Sequence, residues 1–247
     1  FSNYTVNYRG GFGNFDFYHD GPDGEIFRYS QVWINSNGSY WQSPSFQNYS
    51  MVLILHEIAH GLGFFHPGNY NTANVTYENA AEYLEDSRQY TVMSYFSETK
   101  TGANFGGLFP MTPMLHDIFV MQLLYGANYD TRSDDTVYGF NSNTGSQIYG
   151  MTKSTDKRVY SIWDGGGTDT LDFSFYSSKN NIDLGQGEFS SVGGLKNNIS
   201  IAFGAEIENA IGGTNNDKIT GNGLDNELWG MNGNDTLEGL AGNDKLY

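Results

Sequence analysis

The densest concentration of chemistry-bearing side chains is the run His56-Glu57-Ile58-Ala59-His60-Gly61-Leu62-Gly63-Phe64-Phe65-His66. On an α-helix, residues four apart lie one above the other, so His56 and His60 can reach one metal ion. Glu57 sits roughly 100° round from His56, which sets its carboxylate beside the ion as a non-ligand. Gly63 permits a sharp turn that brings His66 round as a third nitrogen. Three histidines and a water make a catalytic zinc set, because one position stays open. The plain alternative is a buried helix that holds three His by coincidence. Three of the chain's five His within these eleven residues weigh against it. His19 and His116 have no such context and read as structural or surface residues.

A second pattern lies at the end of the chain. Four nonapeptides follow one another in phase: GGTNNDKIT (212–220), GNGLDNELW (221–229), GMNGNDTLE (230–238) and GLAGNDKLY (239–247). Each opens with Gly and has Ile219, Leu228, Leu237 or Leu246 at position eight, so the period implies a stacked β-solenoid with that position buried. The pattern resembles the calcium-binding repeat of RTX proteins, G-G-x-G-x-D-x-U-x, whose turns expose carbonyl and Asp oxygens to a hard cation. By that resemblance, positions two, four and six of one repeat face positions one, three and six of the repeat two later. The first set is Gly213, Asn215 and Asp217 with Gly230, Asn232 and Asp235; the second is Asn222, Leu224 and Asn226 with Gly239, Ala241 and Asp244. Asn215 and Leu224 replace Gly at position four, where Leu tolerates a left-handed backbone poorly. Asn226 replaces Asp at position six, so the second set is expected to bind more weakly.

The elements that position these groups follow from periodicity. Residues 1–47 read as strands and loops, with alternation at Tyr4, Val6 and Tyr8 and again over Ile26 to Trp33. Met51, Leu55, Ile58, Ala59 and Leu62 recur at helical spacing behind a cap at Asn48 or Ser50. Residues 68–92 are polar, with a short helix expected around Ala80 to Asp86. A second long helix is predicted over Pro113–Tyr125, with Leu115, Ile118, Phe119, Gln122 and Leu123 in phase and Gly126 closing it. Beyond residue 130 short β-rich runs (Val159–Trp163, Thr170–Phe175, Ile199–Phe203) alternate with Gly, Asn and Asp.

Composition narrows the function classes. The chain has 247 residues and no Cys, which removes disulfides, thiol catalysis and Cys-ligated zinc. The formal charge is -16, which argues against nucleic acid as a partner. No apolar run approaches the roughly 18 residues a membrane helix needs. Residues 1–130 carry 12 acids and 4 bases and residues 131–247 carry 16 and 8, so each part nets -8 and there is no acidic tail.

The zinc motif with its Gly63 and His66 extension is the metzincin signature, and Pro67-Gly68 after it resembles the serralysin branch. Tyr90-Thr91-Val92-Met93-Ser94-Tyr95 resembles the Met-turn of that group, and the segment ending at Tyr125–Tyr129 its catalytic-domain closure. The resemblance implies that Met93 lies beneath the zinc ligands. It also implies that Tyr95 is a further ligand that swings away to stabilise the tetrahedral intermediate, with Glu57 as general base. Upstream calcium ligands follow from it too. Arg132, Asp134 and Thr136 would give carbonyls, with Asp164, Gly166 and Asp169 completing that site. Gly167 and Asp169 would begin another, finished by Glu206 (through its carbonyl) and Glu208.

The expected architecture is therefore an α+β metzincin catalytic domain over residues 1–130, followed by an all-β calcium-binding parallel β-roll over 131–247. The resemblance implies a secreted bacterial zinc endopeptidase acting on proteins and peptides, with one zinc, several calciums, a monomeric state and a proteinaceous inhibitor as a further partner. Only 55 residues precede His56 and the chain stops in its fourth repeat, so a fragment short of both ends is expected, without a C-terminal export signal. The rival class is a calcium-dependent RTX adhesion module with an inactive protease-like part; intact Glu57, three His and Met93 count against it.

Overall fold

The computed structural model describes residues 45–70 and 74–247, and the backbone of 11–19 and 25–34. Strand β1 (Gly11–His19) pairs antiparallel with β2 (Glu25–Ile34), with a register shift between Asp16 and Phe17. The alternation at Tyr4, Val6 and Tyr8 lies outside the described residues. Helix α1 (Tyr49–Gly61) packs against this hairpin. Asn48 caps it, its side chain accepting the Met51 N–H at 3.2 Å. After the cap at Leu62 the chain turns at Gly63 (φ +90°), and Phe64 N–H returns to Ala59 O at 3.0 Å. That reversal carries His66 back beside the helix.

Helix α2 covers Tyr77–Ala80, upstream of the Ala80–Asp86 segment expected to be helical. The capping box of Thr76 and Asn79 starts it early, with Thr76 N–H on Asn79 Oδ1 at 2.8 Å. Extended backbone at Ala81 (ψ 128°) then stops it. After a 3-10 turn at Glu98–Thr101 comes α3 (Leu115–Tyr125), two residues shorter at its start than its Pro113 signal. Ile58, Phe119 and Leu123 keep helical phase yet are exposed, so phase marks the helices without marking which of their residues are buried. Among the described residues no helix is long and apolar enough to cross a membrane.

The rest is a β-roll of short strands: β3 (Val137–Gly139), β4 (Tyr160–Ile162), β5 (Thr170–Asp172), β6 (Asn181–Asp183), β7 (Phe189–Ser190), β8 (Ile199–Ile201), β9 (Asn209–Ile211), β10 (Lys218–Thr220), β11 (Glu227–Trp229), β12 (Thr236–Glu238) and β13 (Lys245–Leu246). A five-stranded sheet runs β3-β5-β9-β11-β13 and a three-stranded one β6-β10-β12, every pair in them parallel. A third sheet, β4-β8-β7, ends in an antiparallel pair. Successive nonapeptides feed opposite sheets, so Lys218 pairs with Thr236 and Glu227 with Lys245. One coil is therefore two repeats.

Between the sheets lies an apolar core that includes Tyr138, Phe140, Tyr160, Leu171, Phe173, Ile182, Ile219 and Leu228. Position eight is fully buried at Ile219 and Leu228, half-buried at Leu237 and 48% exposed at Leu246. Burial there is worth roughly 1.5–3 kcal/mol per full side chain, so the inner coils hold the stack together. A second core joins Val52, Met93, Phe105 and Met114 to Val159 and Leu195, and Met111 N–H reaches Val159 O at 2.9 Å. The helical and roll segments thus share apolar contacts across residue 130.

Candidate functional site

Helix α1 presents His56 and His60 on one face, and the turn at Gly63 returns His66 to them. One nitrogen from each lies within 4.8 Å of the other two. Nε2 of His66 is 3.0 Å from Nε2 of His56 and 3.1 Å from Nε2 of His60. The opposite ring nitrogens are committed: His56 Nδ1 contacts Val92 O and His60 Nδ1 contacts Phe64 O, both at 2.8 Å. A carbonyl only accepts, so both Nδ1 atoms carry the proton and both Nε2 atoms present lone pairs. His66 Nε2 approaches both of these lone pairs, an arrangement in which the three imidazole nitrogens can share one cation. A tetrahedral zinc with bonds of about 2.0–2.1 Å sets its nitrogens roughly 3.3 Å apart, so the donor set fits zinc in type and spacing.

Electrostatics agree. Burial lowers the His56 pKa to about 4, helped by the charges of His60 and His66 and opposed by the Val92 carbonyl. Burial and His60 lower His66 to about 4, and burial lowers His60. All three rings are neutral at pH 7, the form that binds metal. Glu57 is 6% exposed on the same helix. Met93 is buried in the apolar cluster that includes Val52 and Ala59 of α1. The Tyr95 ring stands 4.7 Å from that of His66 and is half exposed, its pKa raised by burial and by Glu57. His116 packs on Tyr90, with ring centroids 5.0 Å apart, away from the cluster. The side chain of His19 lies outside the description.

Two residues that motif reading passed over complete the surroundings. Tyr70 stacks on Tyr95 at 4.5 Å and donates its hydroxyl to Asp86 Oδ1 at 2.5 Å. Asp117, in the first turn of α3, accepts from Thr91, Val92 and Met114; burial raises its pKa to about 6 against those hydrogen bonds. An acidic residue at that position reads from sequence only as a helix cap.

The roll brings the acidic turns together in columns. Thr136 N–H donates to Asp169 Oδ1 and Asp169 N–H to Glu208 Oε2, both at 2.7 Å. Asn226 N–H donates to Asp244 Oδ1 at 3.0 Å further along the same column. The Thr136 hydroxyl lies 2.8 Å from Asp134 O and 3.5 Å from Arg132 O, so those carbonyls converge there. Gly166 N–H bonds Asp164 Oδ1 at 3.0 Å, and a Cβ at Gly167 would meet Asp134 O at 2.7 Å. Asp169 is fully buried and its pKa is pushed up to about 8, by burial first and then by Asp164, Glu208 and Asp135. Its Oδ2 has no hydrogen-bond partner. Glu206 is exposed beside this group.

In the repeats, a Cβ on Gly233 would meet Asn215 O at 2.7 Å and Asp235 Oδ1 at 2.9 Å. One on Gly212 would meet Asp217 Oδ2 and Gly230 O. On Gly242 it would meet Leu224 O, and on Gly221 Asn226 Oδ1 and Gly239 O. Positions of repeats two apart therefore face one another. The left-handed requirement expected at Leu224 is absent: among the described residues, positive φ at position four belongs to Gly233 (+140°) and Gly242 (+121°), while Leu224 and Asn215 turn their carbonyls inward from ordinary backbone. Asn232 and Ala241 sit on exposed outer turns.

Comparison with known proteins ties the two regions together. Residues 127–242 match the family model of the peptidase M10 serralysin C terminal. Serralysin of Proteus mirabilis is 54% identical over 75% of this chain, which spans 38% of that protein. Serralysin B of Dickeya chrysanthemi is 48% identical over 75% of the chain and 39% of its own length. Metallopeptidase AprA of Pseudomonas marginalis is 45% identical over 91% of the chain and 51% of its own length. The chain thus spans about half the length of these relatives or less.

Proposed function

The chain belongs to the serralysin-type metalloproteases, and from that premise we propose that it carries the zinc centre and calcium-binding roll of a secreted endopeptidase acting on protein substrates. In this reading residues 1–130 belong to a metzincin catalytic domain and 131–247 to the roll. The convergence of three Nε2 atoms, two of them held by protonated Nδ1–carbonyl pairs, carries the proposal.

Bound zinc would lower the pKa of a coordinated water and polarise the scissile carbonyl. Glu57, buried beside His56, takes the water's proton and later delivers it to the leaving amine. The Tyr95 phenol, proton retained by its raised pKa, donates to the oxyanion. Its ring stacks on that of Tyr70, which holds the phenol beside the three histidines. Calcium at the acidic columns would neutralise carboxylates that otherwise face one another, Asp169 above all.

Casein hydrolysis by the complete protein, with elemental analysis of the purified material, tests this. One zinc and several calciums per chain are expected, with hydrolysis abolished by Glu57→Ala. Equal hydrolysis by both proteins, or none by either, would leave the adhesion-module reading instead.

A further inference from the structure

A hydrogen-bond chain runs from the zinc-type cluster to a buried anion. His56 Nδ1–H donates to the Val92 carbonyl at 2.8 Å. The other end of that same peptide group, Met93 N–H, donates to Thr91 Oγ1 at 3.0 Å. The Thr91 hydroxyl donates in turn to Asp117 Oδ1 at 2.5 Å. Every donor points the same way, toward a carboxylate that is 3% exposed. Asp117 Oδ2 separately accepts Val92 N–H and Met114 N–H, both at 2.8 Å, which fixes the turn against the start of α3.

We propose that Asp117 and Thr91 are positioning residues for the metal centre, acting on His56 through the Val92–Met93 peptide. The physical reason is polarisation. Aligned hydrogen bonds in a low-dielectric interior strengthen one another. Negative charge at Asp117 draws the Thr91 proton, which strengthens the Thr91 oxygen as an acceptor for Met93 N–H. The peptide so polarised carries more charge on its carbonyl oxygen, which holds the His56 Nδ1 proton more firmly. The His56 ring gains electron density at Nε2, the atom turned toward His66. Metal-ligating histidines use such outer partners to fix the ring and raise its basicity. Here the partner carbonyl is itself tuned by a buried charge one hydroxyl away. Helix capping alone would need the Met114 bond and nothing at Thr91.

The inference rests on the zinc reading above, and the test keeps the two apart. Zinc affinity of the complete protein, by competition with a chromogenic chelator, is compared among wild type, Thr91→Val, Thr91→Ser and Asp117→Asn. Far-UV circular dichroism checks the fold. Thr91→Val keeps the shape and loses the relay, so zinc binding weakens about tenfold, the lower end for such outer partners. Thr91→Ser restores the hydroxyl and stays close to wild type. Asp117→Asn loses about 10–100-fold. Folded Thr91→Val and Thr91→Ser proteins with equal zinc affinity overturn the relay, and this pair decides even where Asp117→Asn does not fold. A wild type that binds no zinc, or a Glu57→Gln protein with full hydrolysis, overturns the protease reading instead.

Discussion

The backbone N–H of Asp217 donates to Oδ1 of Asp235, eighteen residues further on, at 2.8 Å. Asp217 itself accepts the Asn180 N–H through Oδ1 at 2.6 Å, so acidic position-six side chains stack coil upon coil. Lys218 and Lys245 pair with Glu238 and Glu227, not with these carboxylates. Like charges at such spacing favour the compact roll only when a cation neutralises them. Chelation should therefore loosen residues 131–247, and calcium should restore them. Circular dichroism and gel filtration that register no difference between the two conditions would reject the prediction.

Asp169 gives that dependence a pH signature. Its folded pKa is raised to about 8, above the ordinary Asp value. The folded state then holds a proton that the unfolded chain has released, so without calcium the stability falls as pH rises from about 4 to 8. Calcium requires the ionised carboxylate, so its stabilising effect grows over the same window. Thermal melts at pH 5, 6.5 and 8, with and without calcium, should diverge as pH rises. Parallel melting curves would contradict the assignment.

Backbone strain offers a gain in stability. Met231 and Leu240 adopt φ +68° and +71° at position two of their repeats, with side chains 57% and 67% exposed. A left-handed backbone costs a non-glycine residue roughly 1–2 kcal/mol, more than the ~0.5–1 kcal/mol glycine gives up in chain entropy. Met231→Gly and Leu240→Gly should each stabilise the calcium-loaded roll by up to about 1 kcal/mol. Leu224→Gly should not, because Leu224 has no positive φ. Denaturant unfolding of the three variants measures the contrast.

What the sequence discloses, and what it hides, follows from the range of each signal. The nine-residue phase translates directly into the pairing of Lys218 with Thr236, because a repeat constrains register at every coil. Likewise Asn48 caps α1 as its type and place suggest, a local effect. Asp117 escapes such reading, since its partners Thr91 and Val92 lie 26 and 25 residues away with no period between them. The outer face of α3 escapes it for another reason: helical phase locates a face, but not which of two sides meets the core. Leu123 is in phase and 69% exposed.

Asn226 is the one neutral member of the position-six set, and its amide has a second use. Nδ2 donates to Glu208 O and to Asn222 Oδ1, both at 3.0 Å, while Oδ1 accepts Asn222 N–H at 2.9 Å. Asn222 Nδ2 reaches Ile207 O at 2.8 Å and Leu184 O at 3.2 Å. Side-chain amides thus bridge this coil to the one before it without a cation. Asn226→Asp would remove both Nδ2 donors and bury a charge at a side chain 1% exposed, next to Asp244. An uncompensated buried polar group costs about 1–3 kcal/mol, and a charge more. Calcium between the introduced carboxylate and Asp244 would offset the repulsion but not the lost bridge to Glu208. The variant should therefore be less stable than wild type in chelator and should fold with a steeper dependence on calcium concentration. Calcium titrations of roll folding for the two proteins decide it: identical stability in chelator would mean that the amide bridge carries no weight.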